Sequence, residues 1–250
     1  MREWITGRNP VYEVLRAQRR QVYRLRLAQG AEIKGRLAEI LRLAQAQGVP
    51  VETTPRAQVD SLGENPQGVA LQVADYPYSD VSAILDHARA RGEPPLILGL
   101  DLIQNPQNLG SLLRTAEAVG VHGVILPLAR SVGVTPAVVH ASAGASEHLY
   151  IARANLAQTL ERLKAAGLWV VGLDLNPGAL PPQALPLDAP LALVVGSEGE
   201  GMRPLVRRQC DYLLRLPMRG RVDSLNAAVA GSIALYLCLL ARQNRATTSS

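Results

Sequence analysis

Phenylalanine is absent from the 250-residue chain, aromatic side chains make up only 4% of it, and cysteine occurs at two positions. Cys210 and Cys238 lie far apart with no CxxC spacing, so neither a disulfide framework nor a zinc site is expected. A reducing cytoplasm suits such a chain. His87, His122, His140 and His148 show no ligand spacing and read as surface or packing residues, so no metal is expected. The opening MREWITGRNP lacks the apolar core of a secretory signal. No apolar run reaches the ~20 residues of a bilayer span. The longest, Leu225 to Ala241, is broken by Asn226, Gly231 and Ser232, so a buried or interface helix is expected there and no membrane partner.

Hydrophobic residues make up 48% of the chain, enough for a real core, and its length suits two domains. The net charge is +5, and the positive side chains are almost all arginine, whose planar fork matches phosphate. That leans towards nucleic acid. A coding bias rich in Ala, Leu and Arg explains the charge equally well, so charge alone decides little.

Residues 1–75 read as a small α/β unit: a helix at 11–18, an alternating strand QVYRLRLA, and a helix carrying Ile33, Leu37, Ile40, Leu41 and Ala44 that Gly48 and Pro50 stop. A short strand and helix follow in VETTPRAQVDSLG, then a closing strand in QGVALQVADY. Residues 76–95, with proline at both ends and one short amphipathic helix, read as a linker. From Leu96 apolar strands alternate with helices at 109–119, near 135–144 and at 155–166, and the last strand leads into a final helix. The pattern implies an α/β fold: a mostly parallel sheet with helices on both faces, spanning 96–243. Residues 179–190 read as a Pro-rich surface loop, and 244–250, ending ATTSS, as a flexible tail.

Three loops leave the carboxyl ends of strands, where sheets of this class bind ligands. QNPQNLGSLLRTAEAVG enters a helix with Asn108 near its start and Arg114 on its polar side; an N-cap and a surface arginine would explain both equally well. LVVGSEGEGMRP has glycines that admit a ligand close to the backbone, and is also readable as a plain strand-to-helix turn. It matches neither phosphate-loop pattern, and Glu198 and Glu200 would repel pyrophosphate, so a nucleoside-like ligand without phosphate fits better. LPMRGRVDSLN places Ser224 to cap a helix beginning around Leu225. Capping leaves Asn226 unexplained.

Together N-x-G-x-x-x-R-T-A (Asn108 to Ala116), G-S-E-G-E-G (Gly196 to Gly201) and L-P-M-x-G-x-x-x-S-L-N (Leu216 to Asn226) resemble, in order and spacing, the three motifs of the SpoU family of RNA ribose 2'-O-methyltransferases in the SPOUT superfamily. The opening ITGRNPVYEVL and its α/β unit resemble the ribosomal-protein-like RNA-binding domain of the branch that methylates a guanosine of 23S rRNA. The resemblance implies a deep trefoil knot in the C-terminal part and a homodimer with the last helix in its interface. It implies S-adenosylmethionine held around Gly196, Leu216, Met218 and Leu225. It assigns hydroxyl activation to Arg114; Asn108, Ser224 and Asn226 are expected to hydrogen-bond ribose and phosphate, and Glu198 to anchor Arg114 or its loop. Arg219, Arg221 and Arg8 are expected to meet RNA.

Two positions depart from the family pattern: Asn105-Pro106 stands where Asp-Pro is usual, and Ala228 where serine is usual. The first leaves the shape of its loop open. A tRNA guanosine methyltransferase shares the motifs but typically lacks the first domain. A thiostrepton-resistance type enzyme, acting on an rRNA adenosine, has similar domains, and a non-catalytic RNA-binding module is the reading from a different class.

Overall fold

Alternation in the first 75 residues folds into a four-stranded sheet with helices against it. Its elements are β1 (Arg2–Thr6), α1 (Arg8–Ala17), β2 (Val22–Ala28), α2 (Arg36–Ala46), β3 (Val51–Thr54), α3 (Arg56–Asp60) and β4 (Val69–Ala74), and the strand order is β1-β4-β2-β3. Ile5, Leu25 and Leu71 meet across the strands on one face and are fully buried, as are Val11 and Leu15 of α1 and Leu37 and Ile40 of α2. Strand β1 is not anticipated by the sequence pattern: it is five residues long, begins with Arg2 and Glu3, and acquires its strand character by pairing antiparallel with β4. The GRNP segment is the first turn of α1 rather than a turn before it.

The structure describes residues 2–221 and 223–248 of this computed structural model. Two units result: the chain up to Pro77 together with Gly133–His148, and Tyr78–Val132 together with Leu149 onward. Gly133–His148, read above as part of 96–243, thus clusters with the first unit. It holds α6 (Pro136–Ala141), capped by the Thr135 hydroxyl, and a 3-10 turn at Ala145–His148. Arg20, fully buried, donates to both carboxylate oxygens of Glu147 at 2.9 and 2.8 Å, and His148 reaches Glu13 at 2.8 Å. Burial pushes the Glu147 carboxyl upward against the pull of Arg20. A charge pair across 127 residues leaves no trace in a hydrophobic period.

The second unit is built from α4 (Val81–Ala90), β5 (Leu96–Leu100), α5 (Pro106–Ala118), β6 (Gly123–Pro127), β7 (Ile151–Ala154), α7 (Leu156–Ala165), β8 (Trp169–Leu173), β9 (Leu191–Val195), α8 (Pro204–Gln209), β10 (Tyr212–Leu214) and α9 (Ala227–Thr248). Its sheet is parallel throughout, in the order β10-β8-β9-β5-β6-β7. Strands β5, β6 and β9 are buried along their whole length, which is why they read as continuous apolar runs. Ile84 of α4, Leu156 and Leu160 of α7 and Val206 of α8 pack on one face. On the other face Gly231 of α9 comes so close to Leu112 of α5 that an added Cβ would lie 2.6 Å from its Cδ2.

The expected linker at 76–95 is therefore partly core. Ile84 is fully buried, and Gly123 is small because a Cβ there would lie 2.4 Å from the Ile84 side chain. The final helix is described through Thr248, within the expected tail, and residues 249–250 lie outside the described residues. Among the described residues no helix is long and apolar enough to cross a membrane. Both cysteines are free, and burial pushes each thiol up to about 12, so they stay protonated and unreactive at neutral pH.

Candidate active site

The three motif loops meet at the carboxyl ends of β5, β9 and β10. Helix α5 starts three residues earlier than its apolar period suggests, because Asn105 is the cap: its side chain accepts from the Gln107 amide at 2.8 Å, and Pro106 takes the first helical position. The asparagine in place of the usual aspartate thus keeps a capping oxygen. Asn108 is released from capping and donates from Nδ2 to Glu198 Oε1 at 3.0 Å.

Asn226, not Ser224, caps α9. Its Oδ1 accepts from the Ala228 and Val229 amides at 2.9 and 3.2 Å, while its Nδ2 reaches Asn108 Oδ1 at 3.1 Å and also Glu198 Oε1. Glu198 Oε1 additionally accepts from the Ala227 amide at 3.4 Å. One carboxylate oxygen therefore gathers residues from all three motifs at the positive end of a 22-residue helix, where negative charge is favoured. Glu198, expected to anchor Arg114 or its loop, reaches that segment through Asn108 rather than through Arg114. Arg114 is exposed and, among the described residues, makes no hydrogen bond or ion pair.

Beside the cluster lies a cleft of about 850 Å³. Gly196, Leu216, Met218 and Leu225 all line it, as do Glu198, Ser224 and Asn226. A smaller cavity of about 270 Å³, bounded by Leu102, Gln104, Asn105 and Asn108, shares Ser197, Glu198 and Glu200 with it. The structure brings every expected cofactor residue to one cleft and leaves Arg114 outside both cavities. Arg219 and Arg221 sit exposed on the loop between the lining residues Met218 and Ser224. Arg8 lies in the first unit at the start of α1, its Nε donating to Gln67 O at 3.3 Å.

Two ion pairs around the cleft escaped the motif reading. Asp101, fully buried just after β5, accepts from the Arg203 amide at 2.7 Å and from its Nε at 2.8 Å, fastening the exit of the glycine loop to the neighbouring strand end. Leu102, next along, is held at φ 60, a conformation costly for a non-glycine residue and persistent only where its surroundings impose it. Asp174 accepts from Arg207 Nε at 2.7 Å, and both line the cleft. Their one sequence signal is position: Asp101 and Asp174 each follow a strand's carboxyl end. Among the described residues no group of three His, Cys, Asp or Glu side chains could hold a metal ion.

Residues 95–236 match the SpoU rRNA Methylase family. The chain belongs to this SpoU family. Residues 4–79 match the domain described as RNA 2'-O ribose methyltransferase substrate binding. A Bacillus subtilis (strain 168) protein assigned to the TrmH family of tRNA/rRNA methyltransferases is 43% identical over 237 residues, 94% of each chain. The SpoU methyltransferase AviRb from Streptomyces viridochromogenes, solved in complex with AdoMet, aligns with a TM-score of 0.80 at 26% identity, covering 97% of this chain and 91% of its own. An AdoMet-bound rRNA methyltransferase from Sinorhizobium meliloti aligns with a TM-score of 0.77 at 27% identity, covering 97% and 87%.

The SpoU chain is thus an S-adenosylmethionine-dependent RNA methyltransferase. Its cleft fits that cofactor: the volume is within the ~300–1,000 Å³ of cofactor sites, the walls are apolar at Leu173, Val195, Leu216 and Leu225, and Asp174, Glu198 and Glu200 suit a cationic, phosphate-free ligand. Capping and chemistry at Asn226 can be separated. Asn226→Ala loses about 1 kcal/mol of stability in thermal unfolding, whereas Asn226→Ser keeps a capping oxygen and loses only a few tenths. Neither retains the amide that reaches Glu198, so both lose methyl transfer; an active Asn226→Ser would confine Asn226 to capping.

Proposed function

We propose that this SpoU protein methylates a ribose 2'-hydroxyl and that its target is a guanosine of 23S rRNA. The observation that carries the reaction is the joining of Asn108, Glu198 and Asn226 at the rim shared by the two cavities. The target is supported by the substrate-binding match over residues 4–79 and by the likeness to an rRNA methyltransferase along 97% of the chain.

When bound, S-adenosylmethionine supplies a methyl group on a sulfonium that departs as a neutral thioether. The protein's part is to align the hydroxyl oxygen with that methyl carbon and to ease departure of the hydroxyl proton to solvent water as the O–C bond forms and the C–S bond breaks. Alignment is worth about 7–11 kcal/mol in favourable cases. Gly196, Leu216, Met218 and Leu225 hold the cofactor, while Asn108, Ser224 and Asn226 hydrogen-bond ribose and phosphate. Arg114 stays charged and cannot accept the proton; it orients the hydroxyl and stabilises the developing oxyanion. Arg219, Arg221 and Arg8 meet RNA phosphate.

The same reading includes a homodimer through α9 and a trefoil knot in the C-terminal chain. Val229, Ile233, Tyr236 and Leu240, on one stripe of α9, are 48%, 40%, 49% and 51% exposed, an apolar face a second copy would cover. The strand order β10-β8-β9-β5, with late strands inserted beside an early one, supports the knotted path.

The test is methyl transfer from labelled S-adenosylmethionine to separate pools of unmodified 23S rRNA and tRNA, with mass mapping of the product. Label is expected as 2'-O-methylguanosine in 23S rRNA. Label in tRNA or on an adenosine overturns the target, and absence of transfer to ribosomal precursors as well as to both pools overturns the activity.

A further inference from the structure

The outer face of the first unit's sheet has no part in the chemistry above. Because Ile5, Leu25 and Leu71 point inward, alternation turns Trp4, Arg24, Arg26 and Gln72 outward; Val59 of α3 packs on this face with Ala28 and Ala70, and Trp4 lies partly buried against that cluster. Beside it, the guanidinium groups of Arg24 and Arg26 lie 5.6 and 4.9 Å from the centre of the Trp4 ring. Arg2 lies 4.1 Å from the centre of the Tyr23 ring, beside the register shift between Val22 and Arg24. Arg24 donates to Gln72 at 3.0 Å, and Arg24 and Arg26 share one carboxylate, Glu52, at 3.1 and 3.3 Å. The side chains of Arg24, Arg26 and Glu52 remain 35%, 23% and 40% exposed.

Two arginines thus share one carboxylate and a third lies over Tyr23, on a surface that carries two aromatic rings. Splayed bases of any identity stack on aromatic and guanidinium planes, and the arginine fork takes a phosphate in the geometry in which it takes a carboxylate. Duplex RNA offers no base faces to such a platform. We propose that this sheet face binds a single-stranded segment of the RNA substrate, its bases stacking on Trp4 and Tyr23 and its phosphates replacing Glu52 on Arg24 and Arg26. The proposal rests on the methyltransferase reading and names the surface on which the substrate-binding unit meets RNA.

The experiment titrates the full chain with single-stranded and duplex RNA probes across a salt series, alongside methyl transfer to unmodified 23S rRNA. The wild type is expected to prefer the single strand. The double variant Arg24→Gln/Arg26→Gln reduces the magnitude of the slope of log affinity against log salt by about 1.4, at ~0.7 per single-strand phosphate contact. Trp4→Ala weakens binding about tenfold, in the range of one lost stack. Glu52→Gln is the decisive variant: it frees both guanidinium groups and tightens RNA binding, whereas arginines that served only to brace the sheet would lose a partner and bind RNA no better. Folding of each variant is checked by thermal unfolding, and Glu52→Gln keeps the proposal testable if the others fail to fold.

In methyl transfer the arginine variants raise KM for RNA at unchanged kcat. An unchanged salt slope together with unchanged Glu52→Gln affinity overturns the sheet face, and so does an effect confined to Arg8→Gln. A wild type that transfers no methyl group to any RNA would instead overturn the proposed function, so the two failures are distinguishable.

Discussion

Gly196→Ala abolishes S-adenosylmethionine binding. An added Cβ at Gly196 would lie 2.3 Å from the carbonyl carbon of Gly201, 2.5 Å from its oxygen and 2.5 Å from the Met202 nitrogen. All three are backbone atoms, so no side-chain rotation relieves the contact. The loop between them is pinned: the Ser197 amide donates to Gly201 O at 3.0 Å, the Gly201 amide donates back to Ser197 O at 3.1 Å, and Asp101 holds its exit through Arg203. Relief therefore requires opening the turn that carries Glu198, which in turn releases Asn108 and Asn226. Overpacking of this kind costs about 1–3 kcal/mol, small enough for the sheet to survive and large enough to lose the cleft wall. Calorimetric titration with the cofactor should show no binding while circular dichroism and cooperative thermal unfolding persist. Wild-type affinity in the alanine variant would show that the closed turn is not needed for the cleft.

The parallel sheet was legible because β5, β6, β8 and β9 are apolar runs, the first three separated by helical periods, and burial on both faces writes itself directly into composition. The resemblance to the SpoU motifs likewise implied Gly196, Leu216, Met218 and Leu225, which the fold brings to one cleft. Hidden features depended on partners distant in the chain. Strand β1 is created by β4, and Gly133–His148 joins the first unit through Glu147 and Arg20. The roles of neighbouring polar residues were also hidden, since Asn105 or Asn108, and Ser224 or Asn226, are interchangeable as caps on paper. Only the position of Glu198 decides that Asn108 and Asn226 turn towards each other. Asp101 and Arg203 lie 102 residues apart, and neither belongs to a motif.

Arg114→Ala keeps cofactor affinity and loses about 10²–10³ in methyl transfer, the loss typical of removing one donor from a developing oxyanion. The two effects part because Arg114 is exposed on α5 and lines neither cavity, so its removal leaves the cleft walls in place. Arg114→Lys should recover little, since it restores charge but not the two-pronged fork. Whose cleft Arg114 serves follows from mixing. Thr115, next to it, is bonded through its hydroxyl to Ser232 of α9 at 2.9 Å, so the Arg114 helix borders the stripe proposed as the dimer interface. In a dimer formed from one Gly196→Ala chain and one Arg114→Ala chain, an arginine reaching the partner's cleft restores one complete site. Random 1:1 reassociation then yields about a quarter of wild-type activity, because half the dimers are mixed and each carries one working site of two. An arginine acting on its own cleft leaves every site in the mixture with a defect, and activity stays at the level of the separate variants. Near-wild-type turnover by Arg114→Ala alone would remove Arg114 from the reaction and shift hydroxyl orientation to the Asn108–Glu198–Asn226 cluster.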